Sequence, residues 1–241
     1  MVARVAVTGA AVRFVERTLT DVPSDDGWLS PRERDVLAAL RFEARRRDWR
    51  LGRWTAKLAV AGAMAQDGSL AGDASDIEVL AAADGAPAGF VRREPAPWSL
   101  SLSHRGGRAL AVVTPMGTPV GCDLEVVEPR APVFVTDYFT DRERAVIAGV
   151  WPGSADLTVT LIWAAKEAAL KAMRSGLRAD TRWVDVELPG PRGPGHAWEP
   201  LTVRSVLDAR LFPGWWRHED GLVRTVVSTE ASPPPAALAV A

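Results

Sequence analysis

The chain of 241 residues has one cysteine, one tyrosine and three histidines, and neither sign of charge prevails, with 29 basic against 30 acidic residues. A single cysteine, Cys122, excludes an internal disulfide and fits a reducing compartment. A formal net charge of −1 supplies no global field for nucleic acid or an anionic membrane, so any anion-binding site must be local. No apolar run approaches the ~18 residues that a membrane helix needs. Residues Met1 to Ala11 lack both the charged leader and the sustained apolar core of a secretory signal. A cytoplasmic protein with no nucleic-acid or membrane partner is therefore expected. Hydrophobic residues make up 47% of the chain, enough for a substantial core. The ten tryptophans are expected as core or interface anchors rather than base-stacking platforms.

The pattern along the chain mixes the two periodicities. Val2 to Val15 reads as a strand, followed by a polar loop and a helix start at Ser30-Pro31-Arg32-Glu33, where Ser30 is the N-cap and Glu33 completes a capping box. A basic stretch from Arg45 to Arg53 leads into a helix from Trp54 to Gln66. Asp76 to Leu80 reads as a strand and Ala81 to Pro97 as a loop rich in Gly and Pro. Strands are expected at Trp98 to Ser103 and Ala109 to Thr114, about the reversal at Gly106-Gly107, and at Pro119 to Val127. Helices follow at about Thr140 to Ala148 and Asp156 to Ser175. Strands near Trp183 to Leu188, Leu201 to Ser205 and Leu222 to Ser228 complete the series. This order implies an α+β fold of two similar lobes, residues 1–118 and 119–230, although the sequence by itself shows no repeat strong enough to establish duplication. Ser232-Pro233-Pro234-Pro235 opens a tail, residues 231–241, expected to be disordered.

Two acidic clusters carry the chemistry. In Gly121-Cys122-Asp123-Leu124-Glu125 the carboxylates lie two residues apart and share one side of a strand, with Cys122 directed into the core. In Trp163-Ala164-Ala165-Lys166-Glu167-Ala168-Ala169-Leu170-Lys171 a carboxylate and an ammonium stand at i and i+4 on one helix face. Together they read as two halves of a metal site: three oxygen ligands with room for water and a diphosphate suit Mg²⁺. Ser101-Leu102-Ser103-His104 lies near Asp123 in sequence and offers hydroxyl and imidazole donors for phosphate oxygens. The arginine stretch adds bidentate donors.

Arg-rich segment, Ser-Leu-Ser-His, Gly-x-Asp-x-Glu and Trp-x-x-Lys-Glu-Ala-x-x-Lys, in that order, resemble the Sfp-type 4′-phosphopantetheinyl transferases of the subgroup marked by Trp and Lys-Glu-Ala. The resemblance runs from about Ser30 to Trp183. It implies a monomer of two α+β lobes in pseudo-twofold arrangement with the active site between them. It also implies an enzyme that moves the phosphopantetheine arm of coenzyme A onto a serine of an apo acyl or peptidyl carrier protein. By the same resemblance Asp123, Glu125 and Glu167 hold Mg²⁺, for which Mn²⁺ can substitute. Arg45, Arg53, Ser103 and His104 hold phosphates of coenzyme A, and Lys166 and Lys171 match two family lysines, Lys171 being the one expected at the diphosphate. Glu167, Lys171 and Asp123 are the catalytic candidates, with Glu167 assisting removal of the serine proton. Arg46, Arg50 or Lys57 are alternatives within the arginine segment. At Gly85-Ala86-Pro87 the chain has alanine where many members have a basic residue, so a phosphate contact there is either lost or supplied by Arg92, Arg93 or backbone N–H groups. Val133, Phe134, Tyr138 and Phe139 are candidates for a carrier-protein patch or for ordinary core. The competing expectations are a non-catalytic binder of carrier protein or coenzyme A, and a different Mg²⁺ enzyme acting on a nucleotide diphosphate.

Overall fold

A computed structural model describes residues 11–69, 72–150, 155–175, 179–188 and 197–240. The start of the first expected strand and residue 241 lie outside these. The first half of the chain contains β1 (Arg13–Thr18), α1 (Pro31–Ala39), α2 (Glu43–Gln66), β2 (Ile77–Ala81), β3 (Pro87–Val91), β4 (Glu94–Pro95), β5 (Trp98–Arg105) and β6 (Arg108–Pro115). The second contains β7 (Val120–Val126), α3 (Pro132–Tyr138), α4 (Asp141–Ala148), α5 (Ala155–Ala172), β8 (Val184–Glu187), β9 (Glu199–Ser205), β10 (Leu211–Glu219) and β11 (Leu222–Ser228), and β12 (Ala236–Ala237) follows.

The two halves repeat one plan. Strand order β7-β11-β10-β9-β8 in the second half matches β1-β6-β5 followed by β3-β2 in the first, where the sheet is broken between β5 and β3. Each half lays one long helix on its sheet, α2 against β1, β5 and β6, and α5 against β7 and β11. The fold is thus α+β in two similar halves.

The repetition extends to single atoms. The capping boxes of α1 and α4, Ser30 with Glu33 and Thr140 with Glu143, each bury their glutamate completely. Glu33 pairs with Lys57 of α2 at 2.6 Å and Glu143 with Lys166 of α5 at 2.8 Å. Each glutamate also accepts a backbone N–H from the edge strand of its half, from Val79 and from Val186, both at 2.9 Å. Each lysine spends further protons on backbone carbonyls, Lys57 on Trp28 and Ala74, Lys166 on Thr181 and Val184. A capping glutamate therefore ties a helix start, a second helix and a strand together through a buried ion pair whose donors and acceptors are well supplied, the condition under which such a pair is tolerated. The aromatic neighbours repeat too: Trp28 meets Trp54 edge-on at 5.2 Å, and Tyr138 meets Trp163 at 5.4 Å.

With the pairing known, the repeat is visible in the sequence. Residues 54–64, WTAKLAVAGAM, and 163–173, WAAKEAALKAM, agree at six of eleven positions, and Arg32-Glu33-Arg34 recurs as Arg142-Glu143-Arg144.

Three local expectations are revised. The arginine stretch is not a lead-in but the first half of α2, which runs unbroken through 24 residues. Residues 81–97 contain β3 and β4, joined by a turn in which Arg92 and Arg93 take positive φ of 50° and 72°. The C-terminal segment, expected to be disordered, pairs in parallel with β1 through Ala236 and Ala237 and buries Leu238 against α2 and β1.

Gly121 decides how close α5 comes to β7. A Cβ there would stand 1.9 Å from the carbonyl oxygen of Ala168 and 2.7 Å from the amide of Ala172, so helix backbone rests directly on strand backbone. Gly121→Ala is expected to destabilise the protein by about 3 kcal/mol, read as a fall in the denaturation midpoint; a variant of unchanged stability would contradict this close packing.

Candidate active site

The seam between the halves is built by β5 and β7, which run beside each other without a shared backbone ladder. Serine hydroxyls bridge them instead. Ser101 Oγ accepts from the amide of Cys122 at 3.0 Å and Ser103 Oγ from that of Leu124 at 3.3 Å. Ser103 in turn donates to Asp123 Oδ1 at 2.8 Å, which places this carboxylate at the seam.

Because Gly121 lets α5 sit close, the Asp123 side chain meets the helix face that carries Glu167 and Lys171. Lys171 Nζ donates to Asp123 Oδ1 at 2.8 Å and to the carbonyl of Cys122 at 2.9 Å. Burial disfavours its ammonium, but the charge and hydrogen bond of Asp123, together with Cys122 and Glu167, outweigh that and its pKa lies above the ordinary lysine value. Its side chain is still 29% exposed, so the charge is open to solvent on one side.

Two carboxylate oxygens here are buried without a hydrogen-bond partner, Asp123 Oδ2 and Glu167 Oε1. Burial, together with the charges of Asp123 and Glu125 and against that of Lys171, pushes the Glu167 carboxyl up to about 7. Buried anionic oxygens left unpaired and repelling each other are what a divalent cation relieves. Asp123 and Glu167 fit such an ion.

Glu125 departs from the expected set. It accepts from Trp163 Nε1 at 3.3 Å and pairs with Arg130 at 3.3 Å and Arg105 at 3.4 Å, arginines that also hold Glu128. Among the described residues no three His, Cys, Asp or Glu side chains form a group that could hold a metal ion. Glu125 is thus turned toward cations of the protein itself. Burial, then Asp123, raises its pKa despite those arginines.

The remaining expected residues divide. His104 follows Ser103 into a cleft of about 460 Å³ beside α2, which Arg47, Asp48, Arg105 and Arg108 also line. Burial, then the charges of Arg45 and Lys171, against Asp48, lowers its pKa and keeps the imidazole neutral at pH 7. Arg45 is exposed on α2. Arg53 lies partly buried, stacked on Trp49 at 4.9 Å, with a buried Nε that has no hydrogen-bond partner. Burial lowers its pKa, Glu33 opposes this and Arg45 adds to it. The alternatives to these two arginines are taken: Arg46 serves the carbonyl of Leu37, Arg50 those of Pro23 and Asp25, and Lys57 is paired with Glu33.

Two expected phosphate ligands are placed elsewhere or fully engaged. Lys166 is buried on the other side of α5 with Glu143, since adjacent helix residues point about 100° apart and only Glu167 faces the seam. Ser103 Oγ has both its donor and an acceptor position committed. Of the apolar candidates, Phe139 is buried and Phe134 packs on Trp163 at 4.8 Å, whereas Val133 is 61% and Tyr138 42% exposed.

Sequence reasoning missed Arg174. It caps α5 in a Schellman turn: the Arg174 amide bonds the carbonyl of Lys171 at 3.0 Å and the Ser175 amide that of Leu170 at 3.1 Å. Its φ of 59° is the left-handed conformation that glycine adopts freely and that costs another residue about 1 kcal/mol. Its Nε reaches Asp84 Oδ2 at 2.6 Å, in the turn between β2 and β3, and holds that carboxyl below the usual range. The spacing Glu167, Lys171, Arg174 is i, i+4, i+7, which is legible in the sequence. By contrast Arg92, offered as the cation near Ala86, lies against Asp76 at 3.6 Å.

The repeat does not carry this chemistry twice. Leu58 and Gly62 stand in α2 where α5 has Glu167 and Lys171. A second cleft of about 280 Å³, which shares Arg108 with the first, is spanned by the buried Arg224 bonded to Glu16 at 2.6 Å, so its central charges neutralise each other.

Residues 119–205, which include Asp123, Glu125, Glu167 and Lys171, match the family model described as the 4′-phosphopantetheinyl transferase superfamily. No curated protein matches the chain. Among solved structures the chain is similar to the Thermotoga maritima holo-acyl-carrier-protein synthase (AcpS), at 22% identity over 54% of this chain and 74% of that one, with a TM-score of 0.36.

Proposed function

We propose that this protein is a 4′-phosphopantetheinyl transferase of the Sfp type, moving phosphopantetheine from coenzyme A to a serine of an apo acyl or peptidyl carrier protein. The observation that carries the reading is the pair of unpartnered buried oxygens on Asp123 and Glu167 beside the Lys171 ammonium, within the segment matched by the superfamily model.

Asp123 Oδ2 and Glu167 Oε1 are the oxygens that would hold Mg²⁺, with Glu125 joining only on leaving its arginines. When bound, the ion supplies positive charge to the diphosphate of coenzyme A. The residues of the chain do the rest. Lys171, kept protonated by Asp123, faces the oxygens on which charge grows as the bond between the β-phosphorus and its bridging oxygen breaks. The carrier serine oxygen forms the new bond to that phosphorus, its proton passes to Glu167, and adenosine 3′,5′-bisphosphate leaves. His104 lines the arginine-rich cleft suited to the 3′-phosphate end, and Arg45, whose charge acts on His104, would add to it from α2.

Incubation with coenzyme A, Mg²⁺ and an apo carrier protein is expected to add the mass of phosphopantetheine to the carrier serine. Binding of coenzyme A with no mass gain under any divalent ion would instead identify a non-catalytic binder. Competition by ADP as strong as that by adenosine 3′,5′-bisphosphate would point to another nucleotide substrate.

The raised carboxyl of Glu167 makes cation binding proton-linked. Below pH 7 the group is protonated and must lose its proton to accept the ion, so Mn²⁺ affinity, followed by electron paramagnetic resonance, is expected to rise about tenfold per pH unit up to about pH 7 and level off above. Affinity independent of pH between 5.5 and 7, a pH window set by that value, would remove Glu167 from the site. The same shift makes the apo protein less stable as pH rises from about 4.5 to about 7, because the folded state then binds the extra proton.

A further inference from the structure

Arg174 occupies a position that the backbone prefers to give to glycine, and its guanidinium is 52% exposed. It stands about one turn beyond Lys171, just past the end of α5. The carboxylate it touches, Asp84, belongs to the other half of the molecule, so the contact crosses from the end of α5 to the β2–β3 turn. That turn is held in shape by Asp84 itself, whose Oδ1 accepts the amide of Ala86 at 3.1 Å. Beside it lies open space: a Cβ on Gly85 would meet no atom within 4 Å. A side chain that only packed would not need this exposure, and a surface arginine pair contributes little to stability. A planar, permanently charged fork bound through Nε alone still has its terminal nitrogens for a second anion.

We propose that Arg174 is a phosphate-binding residue of the substrate site, gripping the diphosphate of coenzyme A next to Lys171 with its terminal nitrogens. The inference rests on the coenzyme A reading above. Isothermal titration of coenzyme A into the whole protein and into Arg174→Gly and Asp84→Ala separates the possibilities. Glycine suits the left-handed turn, so R174G is expected to melt no lower than the parent yet to bind coenzyme A about tenfold more weakly. D84A, which removes a competing anion and keeps the guanidinium, is expected to bind equally well or more tightly. The deficit of R174G is expected to persist with dephospho-coenzyme A, which retains the diphosphate and lacks the 3′-phosphate.

R174G binding like the parent would overturn the proposal. So would equal losses of affinity and melting temperature in R174G and D84A, which would mark a purely structural pair. A deficit that vanishes with dephospho-coenzyme A would overturn the diphosphate assignment. A parent protein that binds no coenzyme A would overturn the functional reading and this inference with it, whereas the other outcomes leave that reading standing.

Discussion

Lys166→Ala is expected to destabilise the protein by about 3–5 kcal/mol, because it leaves the wholly buried Glu143 without its cation. In a domain of this size that lowers the melting temperature by roughly 10 °C. Glu143 cannot turn to water. Both its oxygens are engaged by the amides of Thr140 and Val186 and by the lysine, so the anion stays where α4, α5 and β8 meet. Replacing both partners by apolar residues of similar volume, as in a Lys166→Met, Glu143→Leu double variant, is expected to recover a large part of the loss. Coenzyme A affinity of the folded K166A protein is expected to match the parent. An unaltered melting temperature with a lost affinity would return Lys166 to the substrate site.

Asp123→Asn is expected to lower the rate of transfer by about 10²–10³-fold while the protein remains folded, since the amide keeps the shape of the carboxylate and can still accept from Ser103. Three things change together when that charge goes. Lys171 loses the anion that orients its ammonium, the proposed cation would lose one of its two oxygens, and Glu167 loses the neighbour that, after burial, contributes most to raising its carboxyl. Carrier mass gain over time measures the first two; the Glu167 carboxyl, followed by infrared titration, is expected to fall toward the ordinary range. Transfer at the parental rate with Mg²⁺ would place the chemistry elsewhere.

How far the site could be read in advance differed from residue to residue. Asp123, Glu167 and Lys171 were legible because their grouping is local: a strand alternates with period two and a helix returns after four residues, so spacing alone puts each pair on one side. Lys166, expected at a phosphate, is found elsewhere for a reason of the same kind. It is next to Glu167 in sequence but about 100° away around the helix, and its partner Glu143 lies on another element. Glu125 satisfied the strand rule, yet Arg130, Arg105 and Trp163 claim it, and none of these contacts has a sequence signal. Strand β10 went unrecognised because Pro213 and Gly214 interrupt it; Gly214 is needed there, since a Cβ would stand 2.6 Å from the carbonyl oxygen of Val226.

The sequence alone determined the mixed helix-and-strand plan, the capping box at Ser30, and the placing of Asp123 with Glu125 on one side of a strand and of Glu167 with Lys171 on one helix face. Those features depend on residues within a few positions of one another, where backbone geometry leaves little choice. Only the tertiary structure decided that the halves duplicate each other down to a buried glutamate–lysine pair, and that Gly121 brings α5 against β7. It also decided that Glu125 is held by arginines and that Arg174 crosses the seam to Asp84. Each of these is a contact between distant segments, and its partner is chosen by packing and desolvation, which act on the assembled fold.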